Sequence, residues 1–263
     1  PSTGLKGISY KMPIASAQVK SAILLAGLNA EGKTQVQEKH PTRDHTERMM
    51  KTFEANISSS KGIVEIERSD LKTPGKIEVP GDFSSAAFFI GACLISENSE
   101  IKIKNVGINK TRKAFLDCLL DMNANIDLVN TKQLGNEEVA DLVIKSSDLL
   151  PAKIMEDIVP NLIDELPLFF LIASLIEGES EFYGLSELKH KESDRLSIMI
   201  NNLQKLNVEV QLNEDSLKII GKKDRIFSNE EFDSHGDHRI AMTMLVAGLR
   251  SSEGLIVTNV ECI

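Results

Sequence analysis

Tryptophan is absent, tyrosine occurs twice, and aromatic residues make up 5 % of the 263 residues. A core built from this composition is expected to be aliphatic. Cysteine is scarce: Cys93, Cys118 and Cys262 are odd in number and lack any CxxC spacing. That pattern fits neither a disulfide framework nor a zinc cluster, and it favours a reducing cytoplasm. No apolar run approaches the roughly 18–20 residues that a membrane span needs, and mean hydropathy is −0.11. Basic residues are in deficit, 30 Lys and Arg against 39 Asp and Glu, for a net charge of −9. This argues against general nucleic-acid binding, which needs a basic surface, but leaves room for a local cationic pocket. The glycines form neither GxGxxG nor GxxxxGK[ST], and there is no GxSxG elbow, so neither a nucleotide loop nor a hydrolase nucleophile is indicated. No signal-peptide pattern opens the sequence. It begins at Pro1 without Met and stops at Ile263 just after a strand-like run. It therefore reads as a fragment.

What is present is a repeat. Four segments share small or polar residues at the start and an apolar stretch behind: ASAQVKSAILLAGL from Ala15, GDFSSAAFFIGACLI from Gly81, DELPLFFLIASLI from Asp164 and GDHRIAMTMLVAGL from Gly236. They are apolar nearly all round, as helices buried on several sides are. A second class is amphipathic, beginning at Arg43, Thr111 and Glu192; in the last, Leu196, Met199, Ile200, Leu203 and Leu206 form a helical stripe. Strand-like runs are read at Thr34–Glu38, Ile63–Glu67, Lys76–Val79, Glu100–Lys104, Asn125–Val129, Asp141–Lys145, Glu181–Tyr183, Val208–Leu212, Ser216–Ile220 and Leu255–Thr258. Ser69–Gly75 and Thr131–Glu138 read as polar connectors. The unit is helix, strand, helix, two strands. Three units are nearly complete and a fourth has begun.

Charge gathers at the predicted helix starts: Arg43, Asp44, His45 and Glu47; Lys191, Glu192, Asp194 and Arg195; Asp237, His238 and Arg239; and Asp164 with Glu165. Helix N-termini suit anions, so acids there read first as caps. Lys191, Arg195 and Arg239 lie where the helix dipole disfavours a cation. That placement suggests an external phosphate or carboxylate, or pairing with a neighbouring acid. Ser16, Ala17 and Gln18 open another helix with a hydroxyl and an amide that can cap or hold a polar ligand. His235 and His238 lack a third ligand at a convincing spacing, so no metal is expected.

The segments SAQVKSAILLAGL, RDHTERM, GDFSSAAFFI, IDELP, KESDRL and GDHRIAM, in that order, resemble the 5-enolpyruvylshikimate-3-phosphate synthase (3-phosphoshikimate 1-carboxyvinyltransferase) family, in its class II bacterial form. The resemblance runs from about Gly7 to Val260. It implies an α/β (α+β) enolpyruvyl transferase fold: two domains, each of three repeated βαβαββ units, closing on substrates between them. Residues 1–79 are then the last unit of one domain. Residues 80–263 form most of the other, with two full units and a truncated third. The family's N-terminal Lys-Ser pair, its Asn-Ala-Gly-Thr loop and its final Ser-Phe-Pro stretch are not in this sequence. An inactive fragment is therefore expected from this chain alone.

The implied reaction joins shikimate 3-phosphate to phosphoenolpyruvate without a cofactor, in a cytoplasmic, monomeric enzyme that binds neither nucleic acid nor membrane. By residue-by-residue match, Asp164 is the proposed base, Glu192 the proton donor to the methylene carbon, and Lys191 a catalytic cation beside Asp164. Arg195 and Arg239 clamp the phosphoenolpyruvate carboxylate. Ser16, Ala17, Gln18 and Arg43 match the shikimate-phosphate site, and Asp237 and His238 support the clamp. The chain departs from the family at Lys189, where Arg is frequent, and at Glu261, where some members carry Lys. Two alternatives are a related UDP-N-acetylglucosamine enolpyruvyl transferase and a non-catalytic anion-binding repeat scaffold.

Overall fold

In the computed structural model, which describes residues 4–263, the alternation of the sequence becomes a repeated strand and helix unit. The first copy runs β1 (Ser9–Lys11), α1 (Ala17–Gly27), β2 (Lys33–Gln37), α2 (His45–Thr52), β3 (Ile57–Ser60) and β4 (Ile63–Glu67). Its sheet has the order β1-β2-β4-β3. β1 lies parallel to β2, with Ser9 opposite Gln35, and α1 is the crossover that a parallel pair requires. β4 is antiparallel to both β2 and β3. The turn from β3 to β4 uses Lys61 and Gly62, at φ 50° and 77°. Two successive positive φ angles match the twist of a two-residue hairpin, and glycine adopts one at no steric cost. Val36, Val64 and Ile66 point to one face and pack with Leu24, Leu28, Met12 and Met50.

A second copy begins with a parallel bridge from Gly81 to Val106. It continues through α3 (Phe83–Ile95), β5 (Glu100–Gly107), α4 (Ala114–Asp121), β6 (Asn125–Leu134) and β7 (Glu137–Lys145), with sheet order β5-β7-β6. A third comprises β8 (Lys153–Ile154), the short α5 (Val159–Leu162), α6 (Leu166–Ser174), β9 (Gly178–Tyr183), a 3-10 turn at Ser186–His190, α7 (Arg195–Lys205), β10 (Glu209–Asn213) and β11 (Ser216–Gly221). Its order β8-β9-β11-β10, parallel then antiparallel, reproduces the first sheet. β12 (Glu231–Asp233), α8 (His238–Ala247) and β13 (Ile256–Thr258) start a fourth, with the two strands parallel.

The chain divides into two compact units. The first holds residues up to Pro80 with Gly107–Arg112 and Thr131–Val139; the second holds Gly81–Val106, Lys113–Asn130 and Ala140–Ile263. In the second, α3, α6 and α8 pack on one another, and every residue of α6 is buried. Gly91 lets α3 approach α6 closely, since a Cβ there would lie 2.9 Å from Leu168 Cδ1.

Several expectations need correction. The core is not purely aliphatic: Phe115, Phe169, Phe170 and Phe182 are fully buried and meet edge to face at 4.9–5.4 Å. Phenylalanine carries a large apolar area, so few are needed. Lys76–Val79 is not a strand but an exposed irregular segment between Pro74 and Pro80, and it pairs with no strand among the described residues. Thr131–Glu138 is not a loop. It forms the ends of β6 and β7 around a turn at Gly135 and Asn136, because a polar hairpin tip in solvent carries no alternation to read. The first strands of the units, β1, β8 and β12, are only two or three residues long, too short to show an alternation.

Candidate active site

In the second unit the starts of the central helices meet. Asp82 caps α3, accepting from the Ser85 N–H at 2.8 Å, and Asp237 caps α8, accepting from the Arg239 N–H at 2.9 Å. Arg239, in the first turn of α8, donates to the Asp164 carbonyl oxygen just before α6 at 3.2 Å and reaches Ser84 Oγ on α3 at 3.5 Å. Its guanidinium also lies 3.5 Å from Asp164 Oδ2 and 3.7 Å from Glu165 Oε1. Three helix N-termini, each a positive dipole end, thus surround one arginine and the largely enclosed Asp164 carboxylate.

Arg195 joins the same cluster from α7. It is fully buried, yet it opens a helix, where the dipole disfavours a cation. Three carboxylates account for it. Nε donates to Asp237 Oδ2 at 2.8 Å, Nη2 to Glu192 Oε2 at 2.5 Å, and Nη1 to Asp164 Oδ1 at 3.4 Å. Ser193 Oγ donates to Asp237 as well, at 2.9 Å. Burial pushes the Asp237 carboxyl pKa up, but the Arg195 hydrogen bond and charge, the Arg239 N–H and the Ser193 hydroxyl outweigh it and hold the group below its ordinary value. Glu192 is 58 % exposed, so its carboxylate can leave Arg195 without disturbing the core. Lys191 and Glu192 do not begin the helix, as the sequence suggested. They precede it, and Asp194 is the cap, accepting from the Ser197 N–H at 3.0 Å. Lys191 is half-buried and has no ion-pair partner among the described residues. His238 heads α8, half-buried and outside this network.

The first unit holds the remaining candidates. Ser16 caps α1 by accepting from the Val19 N–H at 3.3 Å, and its hydroxyl donates to Gln18 Oε1 at 3.3 Å. Ala17 is the first residue of that helix. Arg43 lies two residues before α2. Asp44 was read as a cap, but it makes no side-chain cap bond. It accepts instead from Arg48 Nε at 2.8 Å and Asn109 Nδ2 at 2.6 Å. Partial burial raises its pKa, and Arg48, Asn109 and Thr111 more than reverse that rise. Glu47 is not a cap either: it is buried on Lys20. Sequence reasoning misses Lys20, Glu38 and Ser193. Lys20 did leave a readable trace, a single charge inside the apolar helix ASAQVKSAILLAGL.

No group of three or more His, Cys, Asp or Glu side chains among the described residues could hold a metal ion. Burial pushes the Cys118 thiol up to about 12 and raises that of Cys93, which leaves both inert at neutral pH. No helix among the described residues is long and apolar enough to cross a membrane.

Residues 2–263 match the family model described as EPSP synthase (3-phosphoshikimate 1-carboxyvinyltransferase). The 3-phosphoshikimate 1-carboxyvinyltransferase of Geotalea uraniireducens is 46 % identical over 260 residues, covering 99 % of this chain and 60 % of that relative. The protein of the same name from Bacillus subtilis is 42 % identical over 98 % of this chain and 60 % of its own length. The solved EPSP synthase of Acinetobacter baumannii superposes with a TM-score of 0.89 at 41 % identity, covering 98 % of this chain and 59 % of that one. The enolpyruvyl transferase NikO of Streptomyces tendae shares the fold, with a TM-score of 0.72 at 16 % identity over 90 % of this chain and 53 % of its own. The chain thus spans about three-fifths of the length of the curated relatives it matches.

Proposed function

The chain belongs to the EPSP synthase (3-phosphoshikimate 1-carboxyvinyltransferase) family, and from that premise we propose that the polypeptide carrying it transfers the enolpyruvyl group of phosphoenolpyruvate to shikimate 3-phosphate. The 5-hydroxyl oxygen bonds to C2 of phosphoenolpyruvate while C3 gains a proton. The resulting tetrahedral adduct then loses phosphate and a C3 proton, leaving the enolpyruvyl ether. Such a step needs a base, an acid and fixed cations for the charges that develop.

The observation that carries this reading is the meeting of α3, α6 and α8 at Arg239, with Asp164 and the Glu192–Arg195 pair beside it. Asp164, 12 % exposed and held by two guanidiniums, is a fixed acceptor for the hydroxyl proton. Glu192 is the more mobile carboxyl and serves as the acid. When it swings off Arg195 Nη2 it frees that edge of the guanidinium. Arg195 and Arg239 then take the phosphoenolpyruvate carboxylate, with Asp237 holding Arg195 in place and His238 flanking the clamp. Lys191 steadies the charge that develops beside Asp164. In the first unit, Ser16, Ala17, Gln18 and Arg43 take the shikimate phosphate. Residues 1–79 are the closing unit of one domain and 80–263 most of the other. The enzyme works as a cytoplasmic monomer without a cofactor.

Phosphate release by the complete polypeptide tests the reading. It should require phosphoenolpyruvate and shikimate 3-phosphate together. Release with UDP-N-acetylglucosamine instead would favour the sister transferase, and release with neither acceptor would leave only a scaffold. The 263 residues expressed alone should show no turnover, because the relatives' activity resides in chains of greater length.

A further inference from the structure

Lys20 is 1 % exposed, yet it ends among charges. Its ammonium lies 2.8 Å from Glu47 Oε1 and 3.1 Å from Glu38 Oε2, and it donates to the Thr42 carbonyl oxygen at 3.4 Å. Glu38 Oε1 accepts in turn from the Thr42 N–H at 3.1 Å and from the Thr42 hydroxyl. Both carboxylates are nearly as buried as the lysine. Glu47 Oε2 has no hydrogen-bond partner among the described residues. Two acids against one base, with an oxygen unsatisfied, is a poor way to stabilise a fold. Apolar side chains of similar volume commonly do as well.

What the group supplies is geometry. The Lys20 N–H donates to the Ser16 carbonyl oxygen at 3.1 Å. That is the ordinary first-turn bond of α1, so what Lys20 itself adds is its ammonium, which ties the helix that Ser16 opens to Thr42. Ser16 opens the Ser16–Gln18 segment, and Thr42 adjoins Arg43. A second tie runs beside the first, with the Ser21 and Thr46 hydroxyls 2.6 Å apart between α1 and α2.

We propose that Lys20, with Glu38 and Glu47, is a positioning residue that holds the α1 entrance and the Thr42–Arg43 turn at one spacing, the spacing that fits the phosphate of shikimate 3-phosphate. This rests on the function proposed above for those two segments. Lys20 touches no substrate, and its charge is consumed within the protein. Its effect falls on the affinity for one substrate and not on the other.

The test is a triple variant of the complete polypeptide, Lys20→Met with Glu38→Gln and Glu47→Gln, which removes the buried charges together. The melting temperature should stay near that of the unmodified protein. The KM for shikimate 3-phosphate should rise about 10- to 100-fold, the scale of an ångström of misplacement, while the KM for phosphoenolpyruvate stays within about twofold. A folded variant with unchanged KM for shikimate 3-phosphate, or with equal rises for both substrates, overturns the proposal. Should the triple variant not fold, Glu38→Gln alone retains the Lys20–Glu47 pair and should give the same split with a smaller rise; no split there overturns it equally. If the unmodified polypeptide does not use shikimate 3-phosphate at all, the proposed function fails and the positioning role falls with it. If it does and the variants behave as it does, only the positioning role fails.

Discussion

The different roles proposed for Asp164 and Glu192 rest on their exposure. Asp164 is enclosed and held by Arg195 and Arg239, whereas Glu192 stands in solvent with one contact to Arg195. Asp164→Asn keeps the shape and removes the proposed proton acceptor. We expect turnover to fall by about 10²–10⁴, the usual contribution of a general base, with shikimate 3-phosphate still bound. Single-turnover kinetics would measure it, and near-normal turnover would remove Asp164 from this role. Arg239→Lys keeps the charge and loses the planar fork that reaches Asp164 and Ser84 and that we propose for the phosphoenolpyruvate carboxylate. Loss of one charge-assisted bond costs roughly 1.5–3 kcal/mol, about 10- to 150-fold in affinity. Calorimetric titration should place that loss on phosphoenolpyruvate and not on shikimate 3-phosphate.

At the scale of elements, the Arg195–Asp237 pair ties the first turn of α7 to the cap of α8, and both side chains are fully buried. Breaking a buried pair from one side leaves a charge without compensation. Asp237→Asn should therefore destabilise the protein by about 3–5 kcal/mol. Denaturant titration reads this directly as a lowered midpoint, and an unchanged midpoint would show that Glu192 and Asp164 suffice to hold Arg195. The elements themselves were largely legible. The apolar helices, the amphipathic helices and most strands stand where periodicity put them, because burial on one or all sides leaves a pattern. Helix starts were less legible. Asp44, Glu47 and Glu192 sit in cap-like positions but bind Arg48, Lys20 and Arg195 instead. Local spacing cannot reveal which distant cation competes for a carboxylate.

For the whole molecule, acid is the telling condition. Asp44, Asp141 and Asp237 all have carboxyl pKa values below their ordinary 3.8. For Asp141 the Asn130 amide, the Asn105 N–H and Lys102 bring it to about 2. A carboxyl depressed in the folded state binds protons more readily when unfolded. Its contribution is therefore complete above the unfolded pKa and is lost as pH falls through the folded one. Stability set by these groups should be flat from neutral pH down to about 5 and should fall between about 4 and 2. Thermal melts across that window would show it, and Asp141→Asn should flatten part of the fall. A protein equally stable at pH 2.5 and pH 6 would contradict the assignment.

The sequence by itself determined the repeat, the helix classes and the list of charged residues worth watching. These depend on short-range periodicity and on side-chain chemistry, and both are written along the chain. Only the tertiary structure decided which charges meet. It brought Arg195, forty-two residues away in sequence, onto Asp237, and Lys20 onto Glu38 and Glu47. It also turned a polar stretch at 131–138 into paired strand ends. The reason is the same in each case: a buried charge or an unpaired backbone group must find a partner, and packing brings that partner from a distant part of the chain.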